Sequence, residues 1–443
     1  MARRKTHAPL DVLINNRLVG RLEKQPSGAV SFAYDQSWLD WPHAFAASLS
    51  LPLRTAPYRG AEVTAVFDNL LPDNLDIRRR VAERVGAEGT DAYSLLAAIG
   101  RDCVGAMQFL PEGDARDASG AVDAEPLDAA AIEALLADLK RAPLGIEPGD
   151  AFRISIAGAQ EKTALLRRGN QWLRPLGTTP TTHILKPQLG QIPTATGMVD
   201  LTASVDNEHY CLALLAAFGL PVARTEIAMF GARRVLVVER FDRLWLDDGR
   251  LLRVPQEDCC QALGVPSARK YQSEGGPGPV DIIRRLAASD DPTTDQKAFL
   301  ASQILFWLIG ATDGHAKNFS LFLRPGGGFK LTPFYDVLSA QGAADQGQVA
   351  GRRFRLAMAA GTGRHYRVDE VVGRHFVQTA RAAGLGPTLI EQVLLDIRAR
   401  APTAAATARA AMPADFDGAI HDSVSAAIAT RLALFETAFA ELG

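Results

Sequence analysis

Cysteine is scarce in this chain of 443 residues. The four that occur are Cys103, Cys211, Cys259 and Cys260, and no two form a C-x-x-C pair. That argues against a zinc site or a disulfide framework, and the thiols read as reduced groups of a cytoplasmic protein. An excess of one charge is also missing. Lys and Arg number 48 against 50 Asp and Glu, a formal net charge of -2. Nothing here suggests a general attraction to nucleic acid or anionic membrane. Long apolar runs are wanting. The longest, near residues 304–309, is too short to span a bilayer. Residues 1–7 are basic but lead into no apolar segment, so no signal peptide is expected. No repeat of fixed period is visible. What remains is ordinary: 47% hydrophobic and 22% charged residues, as in a soluble globular protein. The length suggests two or three domains and is ample for a sizeable core.

The pattern changes along the chain. Residues 10–35 read as strands: an apolar run from Leu10 to Ile14, a turn signal at Asn15 and Asn16, then alternation at Val30, Phe32 and Tyr34. Helical patterns follow at 74–85 and 92–99. Residues 1–110 are therefore expected to form a small α+β domain. Residues 112–128 are rich in Asp, Gly and Ala and read as a surface linker, with a short helix at 129–140 completing a connecting segment over 111–150. Strand-like runs recur at 163–167, 183–185 and 235–238. Between them a helix is expected to start near Asp206, whose carboxylate can cap it, and to stop at Gly219 before Pro221. Beyond residue 290 the pattern is mainly helical. Leu300, Ile304, Trp307, Leu308 and Ala311 share one face; so do Leu389, Val393, Leu394 and Ile397, and Val424, Ile428, Phe435 and Phe439. Strands first and helices after predict a two-lobed α+β protein with a cleft between the lobes. The expected domains are a strand-rich lobe at 151–245 and a helical lobe at 246–443.

The sharpest chemical signal is Ala-Thr-Asp313-Gly-His-Ala-Lys-Asn318. Asp and Asn at this spacing match a kinase catalytic loop, in which Asp takes the proton of the attacking hydroxyl and Asn holds a metal on the nucleotide phosphates. An Asx-rich turn gives the same spacing. The context favours chemistry. A hairpin with a turn at Gly326 and Gly327 would bring residue 318 opposite the mid-330s, where Asp336 stands. Two oxygen ligands would then meet, as Mg²⁺ requires. Lys186 closes a strand and could reach phosphates, although a solvated lysine is the commoner fate. Residues 155–163 are like the tail of a Walker A loop, but Ile156 and Glu161 stand where glycines are needed, which excludes a P-loop NTPase. A phosphate-binding loop and a plain turn both fit this segment. The run Val-Leu-Val-Val-Glu239-Arg-Phe241 is a buried strand that turns charged, and by itself reads as core.

Together these blocks resemble the HipA kinases, the toxins of bacterial toxin–antitoxin pairs. The matching segments are Arg-Ile-Ser155-Ile-Ala-Gly-Ala-Gln-Glu-Lys-Thr, Thr-His-Ile-Leu-Lys186-Pro, Val-Asp-Asn-Glu-His-Tyr-Cys, Val-Glu-Arg-Phe-Asp-Arg, Pro-Gln-Glu-Asp-Cys-Cys-Gln, Lys-Tyr-Gln-Ser-Glu-Gly-Gly-Pro-Gly, the Asp313 loop and Leu-Thr-Pro-Phe-Tyr-Asp336. They fall in the family's order over residues 150–340. The segment Val66-Phe-Asp-Asn-Leu-Leu-Pro-Asp-Asn is similar to the family's N-terminal domain. The resemblance implies a two-lobed protein-kinase-like fold with a small N-terminal α+β subdomain. It implies Asp313 as catalytic base, Asn318 and Asp336 as Mg²⁺ ligands, and Lys186 on the ATP phosphates. Ile156, Ala157, Gly158, Ala159, Gln160, Glu161 and Lys162 would form the phosphate-side loop. Glu239 and Phe241 would take the adenine side, with His315 and Lys317 also on ATP, and Glu208 a partner for Lys186.

Ser155 matches the serine that the family autophosphorylates, which switches the enzyme off by displacing the loop; a phosphate there would repel those of ATP. The implied substrate is a protein, an aminoacyl-tRNA synthetase such as glutamate–tRNA ligase, whose loss halts growth and favours persistence. The implied partner is a helix-turn-helix antitoxin like HipB, through which DNA is reached, in a hetero-tetramer. Asp336 is followed by Val-Leu rather than Phe-Gly and no H-R-D precedes the loop, so activation-loop control of the eukaryotic type is not expected. Two rivals stand beside this reading: a small-molecule or lipid kinase, and a non-catalytic co-repressor module. The segment 341–363, rich in Gly and Arg, is a candidate target contact.

Overall fold

A computed structural model of the chain describes residues 7–114, 122–146, 152–158, 160–194 and 197–442. The chain divides into two units. One contains Met1–Pro187, Ala228–Ala268 and Leu321–Phe329; the other contains Gln188–Ile227, Arg269–Ser320 and Lys330–Gly443.

The first unit opens on a tight hairpin. Asn15 and Asn16 both take positive φ, 46° and 66°, the backbone that two-residue hairpin turns favour and that Asn tolerates. The turn joins Leu10–Ile14 to Arg17–Lys24. The full sheet runs Tyr58–Arg59, Val30–Tyr34, Arg17–Lys24, Leu10–Ile14, Met107–Pro111. Phe32 and Tyr34 are buried as the alternation predicts, and Phe32 meets Phe67 edge-on at 5.3 Å. The two expected helices are Leu75–Val85 and Ala92–Ile99. The Asn74 side chain accepts from the N–H groups of Asp76 and Ile77, and Gly86 ends the first of them in the left-handed region.

A second sheet of six strands follows, in the order Thr225–Phe230, Arg233–Glu239, His183–Pro187, Thr163–Arg168, Gln171–Pro175, Ala124–Leu127. Leu165, Leu185, Val235 and Val237 on this sheet pack with Ile132 and Leu136 of the helix Ala129–Ala137. Ala124–Leu127 corrects the linker expectation, because it pairs with Gln171–Pro175 as an edge strand. Its Ala-Glu-Pro-Leu sequence has almost no apolar signal, and Pro126 is tolerated because an edge leaves one side without ladder bonds. Residues 115–121 and 147–150 of the connecting segment, and residue 151 after it, lie outside the described residues.

The second unit is mainly helical. Ser204–Ala217 begins two residues before Asp206, and its N-cap is Ala203, without a side-chain bond. Asp206 is therefore not the cap; it lies buried in the first turn, where a carboxylate still suits the helix dipole. Pro292–Ile309 is capped by Asp291 with Pro292 in its first turn. Leu300, Ile304, Trp307 and Leu308 are buried as predicted, but so are Phe299, Leu305, Phe306 and Ile309. The helix is thus enclosed on almost every side. The helices Pro387–Ala410 and Gly418–Phe435 complete the unit, together with two hairpins, Gly190–Thr194 with Gly197–Leu201 and Arg355–Ala360 with His365–Arg367.

Contrary to the expectation from apolar runs, one stretch among the described residues satisfies the length and composition of a membrane span. An 18-residue window of Gly418–Leu442 has a mean hydropathy of 1.2, with 33% of that window buried. In the fold it is two helices, Gly418–Phe435 and Thr437–Leu442. Arg431, buried within it, donates to the Leu308 carbonyl at 2.8 Å.

Candidate active site

The Asp313 loop follows the buried helix Pro292–Ile309 and closes in a single 3-10 turn, Ala316–Asn318. The Asp313 carbonyl organises it. It accepts from His315 N at 2.8 Å and from Asn318 Nδ2 at 2.8 Å. The Asn318 amide is thus oriented by its nitrogen, and its oxygen stays available as a ligand. Gly314 is needed by close approach, since a Cβ there would meet the Phe306 ring at 2.5 Å. The Asp313 side chain is exposed, whereas His315, Lys317 and Asn318 are buried. One exposed carboxylate on a fixed turn suits a general base that must meet an external hydroxyl.

The hairpin behind the loop has strands Ser320–Leu323 and Phe329–Leu331. Thr332 N donates to Ser320 O at 2.9 Å, and Tyr335 Oη donates to Lys317 O at 2.9 Å. These bonds bring the mid-330s beside residue 318, as the turn at Gly326 and Gly327 predicts. Asp336 is half-buried with φ 58°, a left-handed backbone uncommon outside glycine. Such backbones persist where the surroundings fix them, often at functional sites. Here they do. Asn207 bonds Ser339 twice, side-chain oxygen to N and side-chain nitrogen to O, each at 2.8 Å. Ser339 Oγ also donates to Ile309 O at 2.6 Å. The amide oxygen of Asn318 and the carboxylate of Asp336 are hard donors of the kind Mg²⁺ takes in ones and twos, alongside water and phosphate. Among the described residues no three His, Cys, Asp or Glu gather into a metal cage.

The remaining predicted residues lie in the first unit. Ser155 is fully buried, its N–H on Asp102 O at 2.9 Å and its Oγ donating to Leu70 O at 2.8 Å. Gly158 pairs with Pro72, and its carbonyl accepts from Asp73 N at 3.0 Å. The segment is therefore seated on the Val66–Asn74 motif of the N-terminal sheet domain. Gly158 has φ 113°, and a Cβ there would collide with Lys162 Nζ. Lys162 Nζ donates back to the Ala157 carbonyl, and Glu161 is paired with Arg80 at 2.6 Å. Gln160 Nε2 donates to Pro187 O at 3.1 Å, next to Lys186. Ile156 is buried in the core, and Ala159 lies outside the described residues. Lys186 is 6% exposed and opposite Leu236 in the sheet. Glu239 ends its strand exposed, and Phe241 meets Phe322 edge-on at 5.7 Å.

Just past Glu239 lies a buried ion cluster. Asp102 bonds Arg243 at 2.8 Å and Arg253 at 3.0 Å, with Arg240 at 3.4 Å. Burial alone would raise the Asp102 carboxyl, but the three guanidiniums outweigh it and hold it well below the usual range. Thr181 adds two further bonds to the same carboxylate, at 3.0 and 2.8 Å. Since the Asp102 carbonyl also holds Ser155, one residue fixes both the loop and the strand end that carries Glu239 and Phe241.

Asp102, Asn207 and Tyr271 have no role in the spacing argument. Tyr271 Oη donates to Asp313 Oδ1 at 2.6 Å. The block containing Tyr271 stands out in the sequence, but nothing in it says which partner the tyrosine finds.

Comparison with known proteins agrees with this architecture. Residues 10–110 match the HipA N-terminal domain, and residues 154–405 match the HipA-like C-terminal domain. A protein of Sinorhizobium fredii named as a kinase, Y4mE, is 35% identical over 394 residues, covering 88% of this chain and 89% of that protein. The serine/threonine-protein kinase toxin HipA of Shewanella oneidensis is 30% identical over 343 residues, 74% of this chain and 75% of that one. A solved structure of HipA from Shewanella oneidensis, in complex with HipB and its operator DNA, superposes with a TM-score of 0.77 at 24% identity, over 97% of this chain and 99% of that one. The fold is accordingly α+β and kinase-like.

Proposed function

The chain belongs to the HipA family, and on that premise we propose that it is an ATP-dependent serine/threonine-protein kinase acting as the toxin of a toxin–antitoxin pair. The observation that carries the reading is the tie between Asp313 and Asn318 beside an Asp336 held at φ 58°. Asp313 would accept the proton of a serine or threonine hydroxyl as its oxygen bonds to the γ-phosphorus and ADP leaves. Asn318 and Asp336 would hold Mg²⁺, which supplies charge neutralisation on the phosphate oxygens. Lys186 and the loop of Ile156, Ala157, Gly158, Ala159, Gln160, Glu161 and Lys162 would bind phosphates. Glu239 and Phe241 would take the adenine side, and His315 and Lys317, buried within the catalytic loop, would support the nucleotide.

Ser155 is the proposed site of self-inactivation. Its burial against Leu70 means that the loop must leave its seat before the hydroxyl can react. The phosphate would then have no room to return, so the displaced state would persist. The proposed partner is a HipB-like antitoxin, supported by the relative solved with HipB and operator DNA. The proposed target is an aminoacyl-tRNA synthetase, glutamate–tRNA ligase being the first to try. The test is incubation with Mg²⁺ and γ-labelled ATP beside an Asp313→Gln variant, with phosphate mapped by mass spectrometry. Label on Ser155 in the wild type alone is expected. No label on a chain that starts unphosphorylated, with synthetases present, would sink the kinase reading.

A further inference from the structure

The segment from Lys270 to Gly278 forms a strap beside the catalytic loop. Lys270 O accepts from Ala316 N at 3.3 Å, which ties the strap to the loop's 3-10 turn. Tyr271 O closes the strap on itself by accepting from Glu274 N and Gly276 N, both at 3.0 Å. Gln272 Oε1 accepts from Ala359 N at 2.7 Å, which ties the strap to the strand Arg355–Ala360. The Tyr271 ring stands edge-on to His315, centroids 5.0 Å apart at 83°, and His315 is itself buried. The ring is thus braced by the strap on one side and by His315 on the other. Its hydroxyl meets the one exposed carboxylate of the loop at 2.6 Å.

An exposed aspartate with nothing on its oxygens rotates freely about its terminal bond. A general base must instead keep one lone pair in line with the proton it takes. A phenol that donates to Oδ1 fixes the plane of the carboxylate and leaves Oδ2 for the incoming hydroxyl. We propose that Tyr271 is a positioning residue for Asp313, presenting one carboxylate oxygen to the protein substrate by holding the other. The inference rests on the reading of Asp313 as the base.

Tyr271→Phe keeps the ring against His315 and removes only the hydroxyl. Expected is a fall in kcat of about 10- to 100-fold, the scale on which small misplacements act, with the KM for ATP and the melting temperature unchanged. In an Asp313→Asn background, measured on residual turnover, the same change should cost nothing further, because the phenol acts through the carboxylate. Equal fold losses in the two backgrounds would overturn the proposal, as would an unchanged kcat. A faster Tyr271→Phe enzyme would also overturn it, by showing that the phenol obstructs the base. If Asp313→Asn is as active as the wild type, the base reading itself fails, and that result is visible before Tyr271 is touched.

Discussion

A single methyl group should discriminate a phosphate-binding loop from a plain turn at Gly158. Its φ of 113° suits only glycine, and a Cβ would drive into Lys162 Nζ. Gly158→Ala should cost about 1–3 kcal/mol of strain and raise the KM for ATP, read by thermal melting and by kinetics. Asp102 is the second residue on which much depends. Removing it leaves Arg240, Arg243 and Arg253 buried with one carboxylate, Asp242, among them. Asp102→Ala should cost about 3–5 kcal/mol in denaturant titration. Because its folded carboxyl is held low, its contribution is complete above the ordinary value of 3.8 and is lost as pH falls beneath it. Neither residue could be weighed from sequence. Asp102 meets Arg240 across 138 positions, and no local pattern announces a pairing of that span.

Elements were legible where turn chemistry or periodicity is strong. Asn15-Asn16 and the glycine turn of the hairpin each prescribe backbone that the structure adopts. The strand Ala124–Leu127 was illegible because its pairing, and not its composition, makes it a strand. The tie between Asp313 and Asn318 was legible as a turn from their spacing, while the contact of Tyr271 with Asp313 was not, since it crosses 42 positions. A pH-sensitive histidine also belongs to this scale. His375, on the helix Gly373–Ala383, stacks on His365 of the neighbouring hairpin with centroids 4.0 Å apart. Burial first, then His365 and Arg374, lower it from 6.5 to about 4, against a small opposing effect of Glu441. The folded protein keeps this ring neutral where the unfolded chain would protonate it. Stability should therefore decline as pH falls from 6.5 towards 4. Melting curves across that range should be flatter for His375→Gln than for the wild type.

At the scale of the whole molecule, the balance of charge is the first constraint. A formal net charge of -2 gives little counterion release on DNA. Band-shift assays at physiological salt should show no retention of operator DNA by this chain alone, and retention when a helix-turn-helix antitoxin is added. Retention by the chain alone would place the DNA contact on the kinase itself. The α+β class was legible because both strand and helix periods stand out in the sequence. The seating of Ser155 and Gly158 on the Val66–Asn74 motif was not, because it joins segments some 85 residues apart through one hydroxyl-to-carbonyl bond and one backbone bond that no local pattern announces. That seating also sets a tempo. On the proposed autophosphorylation, the buried hydroxyl of Ser155 would react only when its segment leaves that seat. If the proposed autophosphorylation outpaces reclosing, self-silencing would run at the frequency of those openings. Each newly made molecule would then carry its own delay before shutdown, with a length written in the bonds to Leu70 and Asp73.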